Sequence, residues 1–157
     1  MKVLDTSGIL RSDLDFSKDR YVVTNSVLSE LLDEPARIAI EAALKSGNII
    51  LIEPREDFLK KVKETAVKTG DISEMSSTDL DILAVALEKN LAIISDDYKI
   101  QNVASALGLG FETTTHEGIK HKLKWFKICE GCGRKYSMES DLCEVCGSRL
   151  KKRAMRI

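Results

Sequence analysis

The sequence predicts an α/β fold: a central parallel sheet covered by helices on both faces, in three layers, followed by a small appendage that carries all four cysteines. Three observations carry this. Short apolar runs alternate with helical stretches through about residue 113, the pattern of a parallel sheet with crossover helices. One run, Leu91-Ala92-Ile93-Ile94-Ser95, reads as a strand buried on both faces. The cysteines then fall in two Cys-x-x-Cys-Gly units, Cys129/Cys132 and Cys143/Cys146, with ten residues between the second and third.

In order along the chain, Lys2–Leu4 is a first strand that runs into Asp5-Thr6-Ser7-Gly8, read as a turn. Tyr21–Thr24 is the second strand, and Asn25 or Ser26 caps a helix to about Asp33. A helix over Ala36–Ser46 stops at Gly47, before the strand Ile49–Ile52 and Pro54. Residues 55–69 place Phe58, Leu59, Val62 and Ala66 at helical spacing and end at Gly70. Ser76-Ser77-Thr78 precedes the helix Asp79–Lys89, with Leu80, Leu83, Ala84 and Leu87 on one face. The apolar strand follows, then a helix over Ile100–Leu107 ending at Gly108, and a last strand near Phe111–Thr113. This organises the chain as an α/β domain over 1–113, a linker over 114–124, a cysteine module over 125–150 and a basic tail over 151–157.

A Cys-x-x-Cys pair puts two thiolates on one tight turn, and two such turns supply the four sulfurs of a tetrahedral Zn²⁺ site. Gly133 and Gly147 suit knuckles in which backbone N–H groups turn back toward the sulfurs. A dithiol redox motif or paired disulfides explain neither the duplication nor the matching glycines. Four ligands close the shell, so this zinc is expected to be structural, holding together a module too small for a core of its own. At 157 residues, 43% hydrophobic and 31% charged, the rest of the chain suffices for one medium domain. No apolar run approaches a membrane span, and Met1-Lys2-Val3-Leu4-Asp5 lacks a signal-peptide pattern. With metal-binding cysteines, the expectation is a cytoplasmic protein without a membrane partner.

The net charge of −1 conceals an asymmetry. Residues 1–117 hold 13 Lys/Arg against 21 Asp/Glu, and residues 118–157 hold 11 against 4. The basic residues are grouped: Lys120, Lys122, Lys124 and Lys127 before the cysteines, Arg134 and Lys135 among them, then Arg149, Lys151, Lys152, Arg153 and Arg156. Such grouping points to a polyanion, nucleic acid above all. Trp125, Phe126 and Tyr136 are candidates to stack on bases or, equally, core of the small module.

Ligands of an open parallel sheet bind outside the carboxyl ends of its strands. Asp5 follows the first strand there, and Asp96 and Asp97 follow Ser95. Glu30 lies one turn into a helix that leaves the second strand, and Asp79 opens the helix feeding the strand before Asp96. Each has an ordinary alternative: helix capping for Asp79, a solvated face for Glu30, a turn for Asp96-Asp97. Together, on one edge, they would repel one another unless a cation sat among them, and hard oxygen ligands suit Mg²⁺ or Mn²⁺.

Asp5-Thr6-Ser7, Glu30, Ser77-x-Asp79-x-x-x-x-Ala84-x-Ala86 and Ile94-Ser95-Asp96-Asp97-Tyr98 resemble the acidic motifs of PIN-domain ribonucleases over residues 1–113. With the run Asp96–Val103 and a four-cysteine ribbon directly after, the whole chain is similar to the Nob family of endonucleases, in its compact archaeal form. The resemblance implies metal-dependent cleavage of single-stranded precursor rRNA at the 3′ end of small-subunit rRNA. It implies Asp5, Glu30 and Asp79 as metal ligands, with Asp97 in the motif position and Asp96 retained as an alternative. Thr6, Ser7 and Ser95 would orient carboxylates or waters, and Asp81 would face elsewhere. Pre-rRNA and the nascent small subunit are the implied partners, with assembly-factor proteins beside them. A toxin-type PIN ribonuclease and a non-catalytic RNA-binding assembly factor are the rival readings.

Overall fold

The computed structural model describes residues 1–11, 14–114 and 123–156. Its larger part is a five-stranded, all-parallel sheet of order β3-β2-β1-β4-β5, with strands Lys2–Leu4 (β1), Tyr21–Val23 (β2), Ile49–Leu51 (β3), Ala92–Ile94 (β4) and Phe111–Glu112 (β5). The helices are Thr6–Arg11 (α1), Asn25–Glu30 (α2), Glu34–Lys45 (α3), Glu56–Thr69 (α4), Ser77–Lys89 (α5) and Tyr98–Leu107 (α6), with one 3₁₀ turn at Ile72–Glu74. From β1 the chain steps outward through β2 to β3, then returns to pair β4 with the other side of β1. The switch point therefore lies between β1 and β4.

The core consists of the central strands and α5. Val3, Leu4, Val22, Val23 and Ile93 are fully enclosed, as are Ile82 through Ala86. That run shows why the apolar face expected on α5 is too narrow: a helix packed on both the sheet and α4 is apolar over most of its circumference. Two expectations differ. Thr6–Arg11 is helical rather than a turn, and Asn25–Glu30 is a shorter helix capped by Thr24, whose Oγ1 accepts from Val27 N–H at 3.3 Å.

The cysteine module is a three-stranded antiparallel sheet of order β7-β6-β8: Leu123–Cys129 (β6), Lys135–Tyr136 (β7) and Leu150–Arg156 (β8). The residues expected as a basic tail are thus strand as far as Arg156, paired along the whole of β6 from Leu123↔Arg156 to Cys129↔Leu150. β6 packs on α4, so the module lies against the larger domain. No described helix is long and apolar enough to cross a membrane.

Candidate active site and metal centre

β1 and β4 pair in register, Leu4 beside Ile94, which puts the residues that follow them side by side. Asp5 N–H donates to the Ile94 carbonyl at 3.1 Å. The Asp5 carboxylate is 7% exposed and receives three donors: Thr6 N–H, Ser7 Oγ and Ser95 Oγ, each at 2.7 Å. The two hydroxyls also reach the far side of the switch point. Ser7 Oγ accepts from Asp96 N–H and Ser95 Oγ from Asp97 N–H, both at 3.1 Å. One carboxylate and two serines thereby fix where the Asp96-Asp97 turn begins.

The turn sends its two acids in different directions. Asp96, 8% exposed, accepts from Thr114 N–H at 2.7 Å and Thr114 Oγ1 at 2.6 Å, so its carboxylate faces the end of β5. Asp97 caps α6, accepting from Lys99 N–H at 2.8 Å, with the Lys99 ammonium 3.3 Å away. Asp97 also faces Asp79. Burial pushes the Asp79 carboxyl above its ordinary range, Ser76 N–H and the charge of Lys99 oppose this, and the negative charge of Asp97 adds to it. Lys99 is the cation of the group: burial works against its charge, but Asp97, Asp79 and Glu74 together hold its pKa above the ordinary value.

Asp79 closes a capping box with Ser76, its carboxylate accepting from Ser76 N–H at 2.8 Å while its own N–H donates to Ser76 Oγ at 3.1 Å. The capping alternative weighed for it is therefore a fact of the structure. It coexists with a position at the site, because a carboxylate has more lone pairs than one cap uses. Glu30 is exposed and held by Thr78 Oγ1 at 2.5 Å, one residue before Asp79. Asp81 accepts from Ser26 Oγ at 2.8 Å and so faces α2. Thr78 and Thr114 are the members missed from sequence. A hydroxyl next to a motif acid was the available signal for Thr78, whereas nothing local marks Thr114.

The four cysteines make a tighter group, all four sulfurs lying within 4.8 Å of one another. Cys129 and Cys146 sulfurs are 3.4 Å apart, as are those of Cys132 and Cys143, and none is in a disulfide. The knuckles repeat each other: Gly133 N–H donates to Cys129 C=O and Gly147 N–H to Cys143 C=O, both at 2.8 Å, with glycine φ values of +73° and +69°. Tyr136 Oη accepts from Glu144 N–H and lies 3.2 Å from Cys143 sulfur, leaving its proton for the thiolate. That contact lowers the Cys143 thiol to about 6 and pushes the Tyr136 phenol up to about 12. Four soft donors in this arrangement fit a tetrahedral divalent ion.

The strand register sorts the basic residues. Trp125, Lys127 and Lys152 lie on one face of the module's sheet; Lys124, Phe126, Lys151 and Arg153 lie on the other. Lys152 pairs with Glu74, and Lys127 with Asp141 at 2.6 Å. Lys151 and Arg153 share Glu130 at 2.6 and 3.5 Å. Lys135 sits 5.1 Å from the Phe126 ring centre, and Arg134 and Arg149 are exposed in the knuckle region. Lys120 and Lys122 lie outside the described residues. Of the three aromatics, Trp125 is packed on Gly70 and Tyr136 is tied to Cys143, which leaves Phe126 on the outward face.

A family model for the PIN domain of ribonuclease matches residues 3–88. Endoribonuclease Nob1 of Pyrococcus abyssi is 43% identical over 151 residues, 95% of this chain and 91% of that protein. The chain belongs to the Nob1 family of PIN-domain endoribonucleases. Ribonuclease VapC1 of Thermoplasma acidophilum is 37% identical over 96% of this chain and 76% of its own length. The 20S-pre-rRNA D-site endonuclease nob1 of Schizosaccharomyces pombe is 36% identical over 101 residues, 63% of this chain and 26% of that protein. A PIN nuclease domain implies a divalent metal, and the hard oxygen donors around the switch point fit such an ion.

Proposed function

We propose that the chain hydrolyses single-stranded precursor rRNA at the 3′ end of the small-subunit rRNA, with Mn²⁺ or Mg²⁺ at the acids and one structural Zn²⁺ at the cysteines. The observation that carries the reading is that acids follow both β1 and β4 at one switch point, with Asp79 of α5 beside Asp97 and Glu30 of α2 bound to Thr78, the residue before Asp79. Asp5, Glu30, Asp79 and Asp97 are the ligands in this reading, and Asp96 is the acid that anchors the turn through Thr114. These acids would hold a divalent ion, which would supply a more acidic bound water and positive charge for the leaving 3′ oxygen. Ser7 and Ser95 both hold Oδ2 of Asp5 while Thr6 N–H holds Oδ1, and Thr78 holds one oxygen of Glu30. The outward face of the ribbon, with Lys124, Phe126, Lys135, Lys151 and Arg153, supplies phosphate contacts and one stacking surface.

The substrate is supported by the pre-rRNA endonuclease named among the relatives. The similarity to Ribonuclease VapC1 supports ribonuclease chemistry on another RNA. Incubating the purified chain with a precursor fragment spanning the rRNA 3′ end and with unrelated single-stranded RNA, each with Mn²⁺, separates them. Cleavage at one bond of the precursor is expected, and equal cutting of both RNAs argues for the toxin-type reading. If Asp5→Asn cuts as well as the parent chain, the acids are not the site.

A further inference from the structure

α6 carries two buried polar residues that the acid cluster does not use. Gln101 Nε2 donates to the Ser95 carbonyl at 3.1 Å, inside the nuclease domain. Asn102 reaches out of it. Its carboxamide meets the backbone of Leu123, the first residue of β6, on both sides: Leu123 N–H donates to Oδ1 at 2.7 Å, and Nδ2 donates to the Leu123 carbonyl at 2.8 Å. A side-chain amide thus stands where the peptide of a neighbouring strand would. The second hydrogen of Nδ2 goes to Asp71 Oδ2 at 2.7 Å, which fixes the amide's orientation.

Three further observations converge on the same seam. Asp71 is 1% exposed, and it also receives a hydrogen bond from the Trp125 side chain; burial pushes its carboxyl up against these bonds and the charge of Lys152. Gly70 ends α4 at φ +82°, and a Cβ there would lie 2.8 Å from both Cβ and the carbonyl oxygen of Trp125. The Lys152 ammonium stands 4.2 Å from the Trp125 ring centre and pairs with Glu74. Burying a carboxylate and an amide is costly unless both are fully paired, and here the pairing requires the ribbon to be in place. The seam is also close to the acids. The Glu74 carbonyl accepts from Lys99 Nζ at 2.9 Å, and Lys99 stands 3.3 Å from Asp97.

We propose that Asn102, with Asp71 and Gly70, latches the ribbon to the nuclease domain in one position, so that RNA held on the ribbon meets the acids at a fixed distance. Asn102 is then a positioning residue that selects which bond is cut. The selection of the bond rests on the nuclease function proposed above, whereas the latch itself does not.

The full chain, ¹⁵N-labelled, tests the latch by NMR relaxation. One rotational correlation time common to β1–β5 and β6–β8 is expected, and two distinct times overturn the proposal. In Asn102→Ala the ribbon amides should move to a shorter correlation time while the signals of both folded parts persist. Cleavage of a precursor long enough to touch both parts should fall about tenfold or spread to neighbouring bonds, since small misplacements are costly in catalysis. A short single-stranded oligomer should still be cut at the parent rate. Asn102→Ala cutting the long RNA at the same bond and rate overturns the positioning role. Should Asn102→Ala fail to fold, Trp125→Leu removes the indole bond to Asp71 and carries the same expectations. If the parent chain cuts neither RNA, the nuclease reading fails while the relaxation result still decides the latch.

Discussion

Two adjacent aspartates, chemically identical and next to each other in sequence, end up in different surroundings because of a residue 18 positions away. Thr114 takes both oxygens of Asp96, whereas Asp97 is left between Lys99 and Asp79. Asp97→Asn is therefore expected to lose at least about 100-fold in cleavage rate, as a ligand loss should exceed the 10–100-fold typical of supporting residues. Asp96→Asn should stay within about tenfold, because an amide still accepts from Thr114 N–H. Comparable losses in the two variants, measured in single turnover with Mn²⁺, would put Asp96 back among the ligands. Ser95→Ala tests the hydroxyl that joins Asp5 to the Asp97 turn, with an expected loss of about 10–100-fold and unchanged folding by circular dichroism. Sequence placed Asp97 in the motif position, but the different surroundings of the two acids were illegible there for a physical reason. The motif gives both acids the same local spacing, and the contact that separates them comes from Thr114, two residues past β5.

At the scale of elements, what could be read locally was read. β4 announced itself by an unbroken apolar run, and α5 by Ser76 three residues before Asp79, which is the capping box found. α1 was not legible, because Thr6-Ser7-Gly8 has the composition of a turn. What makes it a helix is packing: Gly8 lies so close to β4 that a Cβ would come within 2.5 Å of the Ile94 carbonyl. Gly8→Ala is expected to destabilise by about 1–3 kcal/mol, the usual cost of overpacking, and to lower activity by shifting Asp5 and Ser7. A melting temperature within error of the parent's would show that α1 has room to move. β8 was illegible for the opposite reason. Lys151-Lys152-Arg153 reads as a solvated charge run, and it becomes a strand only because β6 offers a full partner edge. That partner depends on the cysteines, since metal binding and folding are coupled in modules this small. Chelation should therefore abolish hydrogen-exchange protection in β6–β8 while leaving β1–β5 protected; persistent protection in the ribbon would mean that the metal is not what holds it.

Over the whole molecule, the charge asymmetry seen in the sequence acquires a direction. Acids gather at the switch point, and the register of β6 and β8 turns Lys124, Lys151 and Arg153 to one side with Lys135 close by, while Lys152 and Trp125 face the nuclease domain. The grouped charge was visible in sequence, but its division into two faces was not, because that division requires knowing which residues are strand. The division makes a quantitative prediction. Each phosphate neutralised on single-stranded RNA contributes about 0.7 to the slope of log affinity against log salt. Replacing Lys124, Lys135 and Arg153 together by Gln should thus flatten that slope by about 2, measured with a precursor fragment in Ca²⁺ or without divalent ions. Arg153 gives up only an exposed pairing with Glu130 to reach a phosphate, and such pairs are worth little. Lys127→Gln is the control, since that side chain is largely enclosed and already paired with Asp141. An unchanged slope in the triple variant, or an equal drop in the control, would mean that the RNA runs elsewhere than over the outward face of the ribbon.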